Sequence, residues 1–208
     1  MADILLDVQS VASAPSAGQA VIAVNSVTKR VQTVDDANYK RTLGYVNFST
    51  AAQVITTSRT YIIGSNILIP AGALQVGTLF RWTFDVTKSA AGTAASTYDI
   101  CFGTAGTTAD TARVSFAKPA GTAVADAGQV VVTAVVRGPV GASGVVAGHF
   151  QLTHNLAATG HAVIPCVDVT TVSAAFDISA PTNIGLCLTG GASDSVTLQL
   201  VVAEAWNL

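Results

Sequence analysis

The stretch TLFRWTFDVTK, residues 78–88, constrains the fold of this chain more than any other segment. Apolar side chains occupy every second position, at Phe80, Trp82, Phe84 and Val86, with polar side chains between them. Successive side chains of an extended chain point to opposite faces, so this alternation predicts a strand with one face in a core and the other in solvent. The stretch holds one of two tryptophans and two of seven phenylalanines, so we expect it at the centre of the core.

From about residue 44 the chain repeats this pattern in short segments separated by turn residues. None of them shows the 3.6-residue period of an amphipathic helix, so the chain is predicted to be all-β: an antiparallel β-sandwich, jelly-roll-like in type. Strands are expected at 44–48, 53–56, 60–63, 67–69, 78–88, 97–103, 111–116, 129–137, 146–154, 162–169, 172–178, 183–189 and 195–206. Inward-facing side chains are expected to include Tyr98, Ile100, Phe102, Val130, Val132, Ala134 and Val136.

In the last expected strand, 195–206, the alternation places a carboxylate on the apolar face. Strict alternation places one set of apolar side chains on a single face: Val196, Leu198, Leu200, Val202 and Trp206. Glu204, the only glutamate of the chain, has the same parity. It is therefore expected on the apolar side, where a buried carboxylate requires a partner.

Three loops share a Gly-Thr-Ala start, at 92–95, 103–110 and 121–126. Glycine supplies positive backbone φ angles, and Asp or Thr side chains accept hydrogen bonds from nearby backbone amides. We therefore expect these segments to be turns that close successive hairpins. The alanine-rich segment 89–95 is expected to be a loop because of its Gly and Thr content.

Residues 1–45 differ from the rest of the chain. Segments 20–24 and 29–34 are predicted to be short strands joined by a turn at Asn25 and Ser26, and Asp35-Asp36 begins another turn. So few large apolar residues cannot form a stable core of their own. The predicted division is a small N-terminal β-arm, 1–45, which docks on another protein, and a β-sandwich, 46–208.

The composition indicates a protein that associates. Only 11% of the 208 residues are charged, against about 25% in ordinary soluble domains. A surface with so few charges is poorly protected against association. The net charge of −2, with scattered basic residues, argues against a nucleic-acid partner. No apolar run reaches the roughly 18 residues that a membrane-spanning helix needs, so no membrane insertion is expected.

No catalytic, cofactor or metal site is predicted. The glycine-rich loops lack the Gly-Lys-Ser/Thr ending of a phosphate-binding loop, and no serine lies in a Gly-x-Ser-x-Gly turn. His154 and His161 can face each other across a hairpin, and a histidine near a three-fold axis can form a three-histidine metal site. Hydrogen-bonding histidines at the rim of the sandwich are the expected alternative. The thiols of Cys101, Cys166 and Cys187 are expected to be buried and structural.

Two parts of the chain resemble known proteins. The segment SVASAPSAGQAVIAVNSVTKRVQTVDDANYKRTL resembles the leader modules of tailed-bacteriophage fibre and appendage proteins. The segments GTLFRWTFDVTKSAAGTAASTYDICFGTAGTTADTARVSF and GTAVADAGQVVVTAVVRG are similar to β-sandwich domains of phage virion proteins. The resemblance implies a non-enzymatic structural protein of the virion, made in the bacterial cytoplasm and assembled as a homotrimer.

On this interpretation the chain is a fibre or spike subunit that binds other virion proteins through its N-terminus. Candidate virion-anchor residues are Leu5, Leu6, Val21, Ile22 and Val24. Candidate receptor-facing loop residues, for a host-surface glycan or receptor, are Thr107, Asp110, Asp126, Asn155 and His161. A capsid decoration protein that stabilises the head is the alternative, and a carbohydrate-binding or carbohydrate-active sandwich is a third.

Overall fold

The chain folds into β-strands joined by turns and loops, without a helix in the part of it that the computed structural model describes: residues 8–9, 17, 20–25, 31–35, 40–42, 45–69, 72–139, 141–162, 166–180, 182–192 and 196–208. The described residues form sixteen strands: β1 Val8–Gln9, β2 Ala20–Asn25, β3 Val31–Asp35, β4 Lys40–Thr42, β5 Tyr45–Ser49, β6 Gln53–Ile55, β7 Thr60–Tyr61, β8 Ile67–Ile69, β9 Leu79–Lys88, β10 Ser96–Gly103, β11 Thr111–Lys118, β12 Asp126–Arg137, β13 Val145–His154, β14 Cys166–Val172, β15 Thr182–Thr189 and β16 Val196–Trp206.

Two antiparallel sheets form a β-sandwich. The large sheet has seven strands in the order β14-β13-β12-β9-β16-β5, with β6 also paired to β16. The small sheet has five, in the order β11-β10-β15-β7, with β8 also paired to β15. The predicted all-β sandwich is confirmed, and its jelly-roll-like character stays a prediction. The strand predicted at 78–88 is β9, which lies between β12 and β16 near the middle of the large sheet.

The core lies between the two sheets and follows the predicted parity. Phe80, Trp82, Phe84 and Val86 of β9 are no more than 1% exposed, as are the four inward residues of β12. The inward residues of β10 complete the core from the small sheet, and the rings of Tyr98 and Phe150 lie 4.8 Å apart. Burying one such large side chain contributes roughly 1.5–3 kcal/mol, so these aromatic residues account for much of the sandwich's cohesion.

The three Gly-Thr-Ala loops have different roles. Segment 103–110 joins the paired strands β10 and β11, so it closes a hairpin as predicted. Segment 92–95 connects β9 to β10, and 121–126 connects β11 to β12. The strands in each of these two pairs belong to different sheets, so the hairpin prediction is wrong there. The same turn chemistry also suits a connection between sheets, and local sequence does not distinguish the two cases.

A β-bulge in β16 overturns the predicted alternation of the last strand. Leu198 pairs with Val86 and Val201 pairs with Phe84, so β16 has one residue more than β9 over this stretch. Beyond the bulge Val201, Ala203 and Ala205 are buried. The other parity, with Val202, Glu204 and Trp206, faces outward. Glu204 is therefore not on the core side, where strict alternation had placed it.

The expected strands at 162–169 and 172–178 are replaced by one strand, β14. Residues 163–165 and 181 lie outside the described residues. Strand β14 ends at Val172. At the next residue the amide of Ser173 donates to the carbonyl of Val146 at 2.8 Å, and the amide of Val146 donates to Oγ of Ser173 at 2.9 Å. Phe176 makes only an isolated bridge with Gly144.

The N-terminal strands form a sheet of their own, in the order β1-β2-β3-β4. The two short strands predicted here are observed as β2 and β3, which pair antiparallel, and β1 pairs parallel to β2. The next strand, β5, begins at Tyr45 and pairs with β16 of the large sheet. The division of the chain at residue 45 stays a prediction.

Candidate functional site

The five predicted receptor-facing residues lie at two opposite ends of the small sheet. Thr107 and Asp110 are in the loop that follows β10, and Asp126, Asn155 and His161 lie near the other end of that strand. The register shows this, since Phe102 pairs with Thr111 at one end and Ser96 with Lys118 at the other. An eight-residue strand spans about 26 Å, so the residues do not form one surface.

The first end is organised by Asp110, whose side chain is buried. Its Oδ1 accepts from the backbone amide of Ala105 at 3.0 Å and its Oδ2 from that of Gly106 at 2.8 Å. Gly103 packs so closely on this carboxylate that a Cβ there would collide with it. Asp110 therefore holds the loop in shape, and Thr107 is the exposed one of the two predicted residues.

Arg59, which the sequence did not single out, ties this loop to the outer face of the small sheet. Its Nε donates to Oδ2 of Asp99 at 3.0 Å, and one terminal nitrogen donates to the carbonyl of Thr108 at 2.5 Å. The other terminal nitrogen lies 2.8 Å from Sγ of Cys101. The residues around Arg59 in the sequence do not reveal its role, because its hydrogen-bond partners lie 40 or more residues away.

The thiols of Cys101 and Cys187 lie beneath Arg59. Both side chains are fully buried, as predicted, and both thiols are free. The hydrogen bond between the two thiols and their burial raise the pKa of Cys101. A buried thiol of high pKa is a poor nucleophile. Cys166 begins β14, and nothing is described of its side chain.

The second end contains a group of buried polar side chains, which we call the buried polar cluster: Lys88, Lys118, Asp126, His154 and His161. Each ammonium group donates to backbone carbonyls: Nζ of Lys88 to Thr122 at 2.8 Å, and Nζ of Lys118 to His161 at 2.9 Å. The expected approach of the two histidines is observed, with ring centroids 6.0 Å apart.

Asp126 is the acceptor at the centre of the buried polar cluster. Its Oδ2 accepts from the backbone amide of His161 at 3.0 Å and lies 2.7 Å from Nδ1 of His154, although the ring nitrogen is not aligned for a hydrogen bond. Burial alone would raise the pKa of Asp126. The amides of His161 and Ala127, together with His154, outweigh that effect and lower it.

His161 is held neutral by its surroundings. It is 1% exposed, and neither ring nitrogen has a hydrogen-bond partner among the described residues. Burial lowers its pKa to about 4, and the positive charges of Lys118 and Lys88 act in the same direction. The ammonium groups of Lys88 and Lys118 also disfavour the binding of a metal cation beside His161. Within the described residues no group of three or more His, Cys, Asp or Glu side chains has a metal-binding arrangement.

Of the candidate anchor residues, Leu5 and Leu6 lie outside the described residues. Val21, Ile22 and Val24 are on β2, and Ile22 is 56% exposed. The anchor role stays a prediction. The described part of the chain contains no helix of the length and apolar character needed to cross a membrane.

The outer face of the large sheet is divided into an apolar and a polar part. On β5, β6 and β16 it carries five exposed apolar side chains, here called the apolar strip: Val46, Phe48, Val54, Leu200 and Trp206. The strip adjoins the edge of the sheet at β5, which pairs with β16 on one side. It was not predicted, because the outward position of Leu200 and Trp206 depends on the bulge.

The polar part contains a groove of about 590 Å³, here called the polar groove, across β16, β9, β12 and β13. Six polar side chains line it, with hydroxyl or amide groups and a single carboxylate: Asp85, Thr87, Gln129, Thr153, Asn155 and Gln199. Val86, Ala127, Gly128 and His154 complete the lining. Nε2 of Gln129 donates to Oδ1 of Asp85 at 3.2 Å, which orients both side chains. Asn155, one of the predicted receptor-facing residues, lies at one side of this groove.

No protein-family model matches the sequence, and no curated protein matches it. Among solved structures the chain is similar to the CBM2 module of the evolved Dit of Lactobacillus casei BL23 phage J-1, with 9% identity, 69% of each chain covered and a TM-score of 0.31. It is also similar to a double mutant of the alginate lyase Aly36B in complex with an alginate trisaccharide, with 12% identity, 89% of this chain and 87% of that chain covered and a TM-score of 0.35.

Proposed function

We propose that this chain is a non-enzymatic structural subunit of a tailed-phage virion. In this proposal it forms the homotrimeric outer part of a fibre or spike, is attached through its N-terminal residues and contacts the host surface. The sequence resemblance to phage appendage proteins suggests the virion. The apolar strip is the structural observation that supports assembly into an oligomer.

The apolar strip is a surface that a free monomer would expose at a cost. Phe48 and Val54 are each 65% exposed. Phe48 lies on β5, the last strand of the large sheet on this side among the described residues, and Val54 lies on β6. Exposed apolar side chains beside a sheet edge promote association unless a partner covers them. The low charge of the chain supports a homotypic partner, because few charges oppose contact between copies.

The titratable groups of the sandwich support a structural role. Cys101, Cys187, Asp126 and His161 are buried, and Arg59 and Asp110 use their polar atoms to hold a loop. Groups shut away from solvent in this way cannot reach a substrate in this conformation. Arg59, Asp110 and Asp126 resemble the hydrogen-bonded polar groups that fix the ends of a β-sandwich.

The copy number of this chain per purified particle, measured by mass spectrometry against the major capsid protein, tests the proposal. A few to a few dozen copies are expected for a fibre or spike. Hundreds of copies would indicate a capsid decoration protein instead, and absence from the particle would overturn both proposals.

Deletion of residues 1–44 is expected to abolish incorporation into the virion, and undiminished incorporation would refute the anchor role of the N-terminal residues.

A further inference from the structure

The polar groove differs from an ordinary solvated sheet face in its shape and in its lining. Side chains of four adjacent strands line it, and it is an open groove of about 590 Å³. The outer faces of β5, β6 and part of β16 are apolar instead. The polar groove and the apolar strip therefore lie on different parts of the same face.

The bulge in β16 contributes one side of this groove. Two residues of β16, Gln199 and Leu200, stand opposite the single residue Asp85 of β9, and both are exposed. In a regular strand one of these two side chains would point into the core. Bulges commonly redirect a side chain beside a binding site. Here the bulge places the Gln199 amide across from the Asp85–Gln129 pair.

The chemistry of the lining selects a class of ligand. Gln129, Asn155 and Gln199 each offer an amide that both donates and accepts, and Thr87 and Thr153 offer hydroxyls. Asp85 is an acceptor for hydroxyl donors. Among the described residues no lysine or arginine lines the groove, and the His154 side chain, which does line it, is buried against Asp126. Such a surface matches a ligand with many hydroxyls and no negative charge.

We infer that the polar groove binds a neutral saccharide. It is held by hydrogen bonds to Asp85, Gln129 and Gln199, without an aromatic platform. Binding at a single site is therefore weak, and several sites in one oligomer raise the overall affinity by avidity. The inference rests on the proposed function only in naming the source, a glycan of the host surface; the site itself is a property of the isolated protein.

An array of neutral and acidic oligosaccharides, probed with the full-length protein, tests this inference. The best neutral binder is then titrated by calorimetry against wild-type protein and two groove variants, Gln129→Ala and Gln199→Ala. Each variant is expected to lose about three- to tenfold in affinity, the effect of one hydrogen bond to a ligand. The matched control is Gln151→Ala, since Gln151 is exposed on β13 but does not line the groove.

Three results would overturn the inference: no saccharide bound on the array, a preference for acidic saccharides, or equal losses in the groove variants and Gln151→Ala. All the substituted side chains are exposed, so the variants are expected to keep the wild-type melting temperature. A protein that binds a neutral saccharide in the groove but is absent from virions would refute the proposed function and keep the site. A protein that is present in virions but whose groove binds no saccharide would refute the saccharide site and keep the proposed function.

Discussion

At the scale of single residues, the buried polar cluster shows how the sandwich accommodates charge. Lys88 and Lys118 are 4% and 2% exposed, and their ammonium groups donate hydrogen bonds to backbone carbonyls, among them those of Val124 and Pro119. Burying charges is costly unless each one is paired or hydrogen-bonded. His161 is a neighbour of both lysines, and a third positive charge there would be opposed by burial and by repulsion.

The first prediction follows from the lowered pKa of His161. The unfolded chain binds this proton near pH 6.5, whereas the folded protein resists it until about pH 4. The titration of His161 therefore does not affect stability above pH 6.5, and the free energy of unfolding falls as the pH drops from 6.5 towards 4, by on the order of 3 kcal/mol. Asp126 has a lowered pKa, so its own contribution is lost only below its ordinary value of 3.8.

Urea unfolding between pH 7 and pH 4 measures this dependence. We expect His161→Leu to flatten the curve of unfolding free energy against pH over the range from 6.5 to 4. His149→Leu, on the outer face of β13, serves as the control and is expected to keep the wild-type slope. An unchanged slope in His161→Leu would show that other groups cause the acid sensitivity.

At the scale of elements, the bulge of β16 determines which residues the last strand presents to each side. It keeps Val201, Ala203 and Ala205 in the core and turns Glu204 and Trp206 outward. Because side chains alternate with a period of two, removal of one residue would send every later side chain to the opposite face.

The second prediction concerns this register. Deletion of Leu200 would direct Glu204 and Trp206 towards a closely packed core, and we expect it to prevent folding. Substitution of the same exposed residue, Leu200→Thr, is expected to change the free energy of unfolding by less than about 0.5 kcal/mol. Circular dichroism and urea unfolding of the two variants give the comparison. A deletion variant as stable as Leu200→Thr would show that β16 re-forms its bulge elsewhere.

The contrast between β9 and β16 explains how far sequence reasoning reaches. In β9 large apolar and polar residues alternate without interruption, so parity alone identified Phe80, Trp82, Phe84 and Val86 as core. In β16 the run Leu198-Gln199-Leu200-Val201-Val202 contains apolar residues on both parities, so the pattern fits two registers. The position of the bulge depends on how β16 pairs with β9, and the local sequence does not encode this pairing.

The same limit applies to the candidate sites. The burial of Cys101 and Cys187 could be anticipated from their strand-like segments, and the facing histidines from their spacing. The partners of Arg59 and the lining of the polar groove come from distant strands. Gln199 and Asn155 are ordinary polar residues until the sheet brings them together. Burial of Asp110, Asp126 and His161 could not be anticipated, because Asp and His in glycine-rich loops are exposed more often than buried.

At the scale of the whole molecule, the outer face of the large sheet combines two surfaces of different character. The apolar strip suits contact with another copy of the chain, and the polar groove remains open beside it. Leu200 belongs to the strip and its neighbour Gln199 to the groove. Assembly through the strip would therefore bring the grooves of neighbouring copies into one oligomer and raise the avidity for a repeated ligand.

The third prediction tests assembly through the apolar strip. Wild-type protein is expected to be a trimer at micromolar concentration, and Phe48→Glu is expected to be a folded monomer, because a charge buried in an apolar interface without a partner is strongly unfavourable. Phe48 is 65% exposed, so this substitution should leave the fold of the monomer intact. Sedimentation equilibrium gives the mass, and circular dichroism reports the fold.

Leu68→Glu is the matched control for this experiment. Leu68 is also an exposed apolar residue, on β8 of the small sheet, and it lies outside the apolar strip. We expect this variant to remain a trimer, which separates loss of the specific surface from a general effect of added charge. A wild-type monomer, or dissociation of Leu68→Glu to the same extent as Phe48→Glu, would remove the strip as the assembly surface, and the groove would then bind its ligand one site at a time.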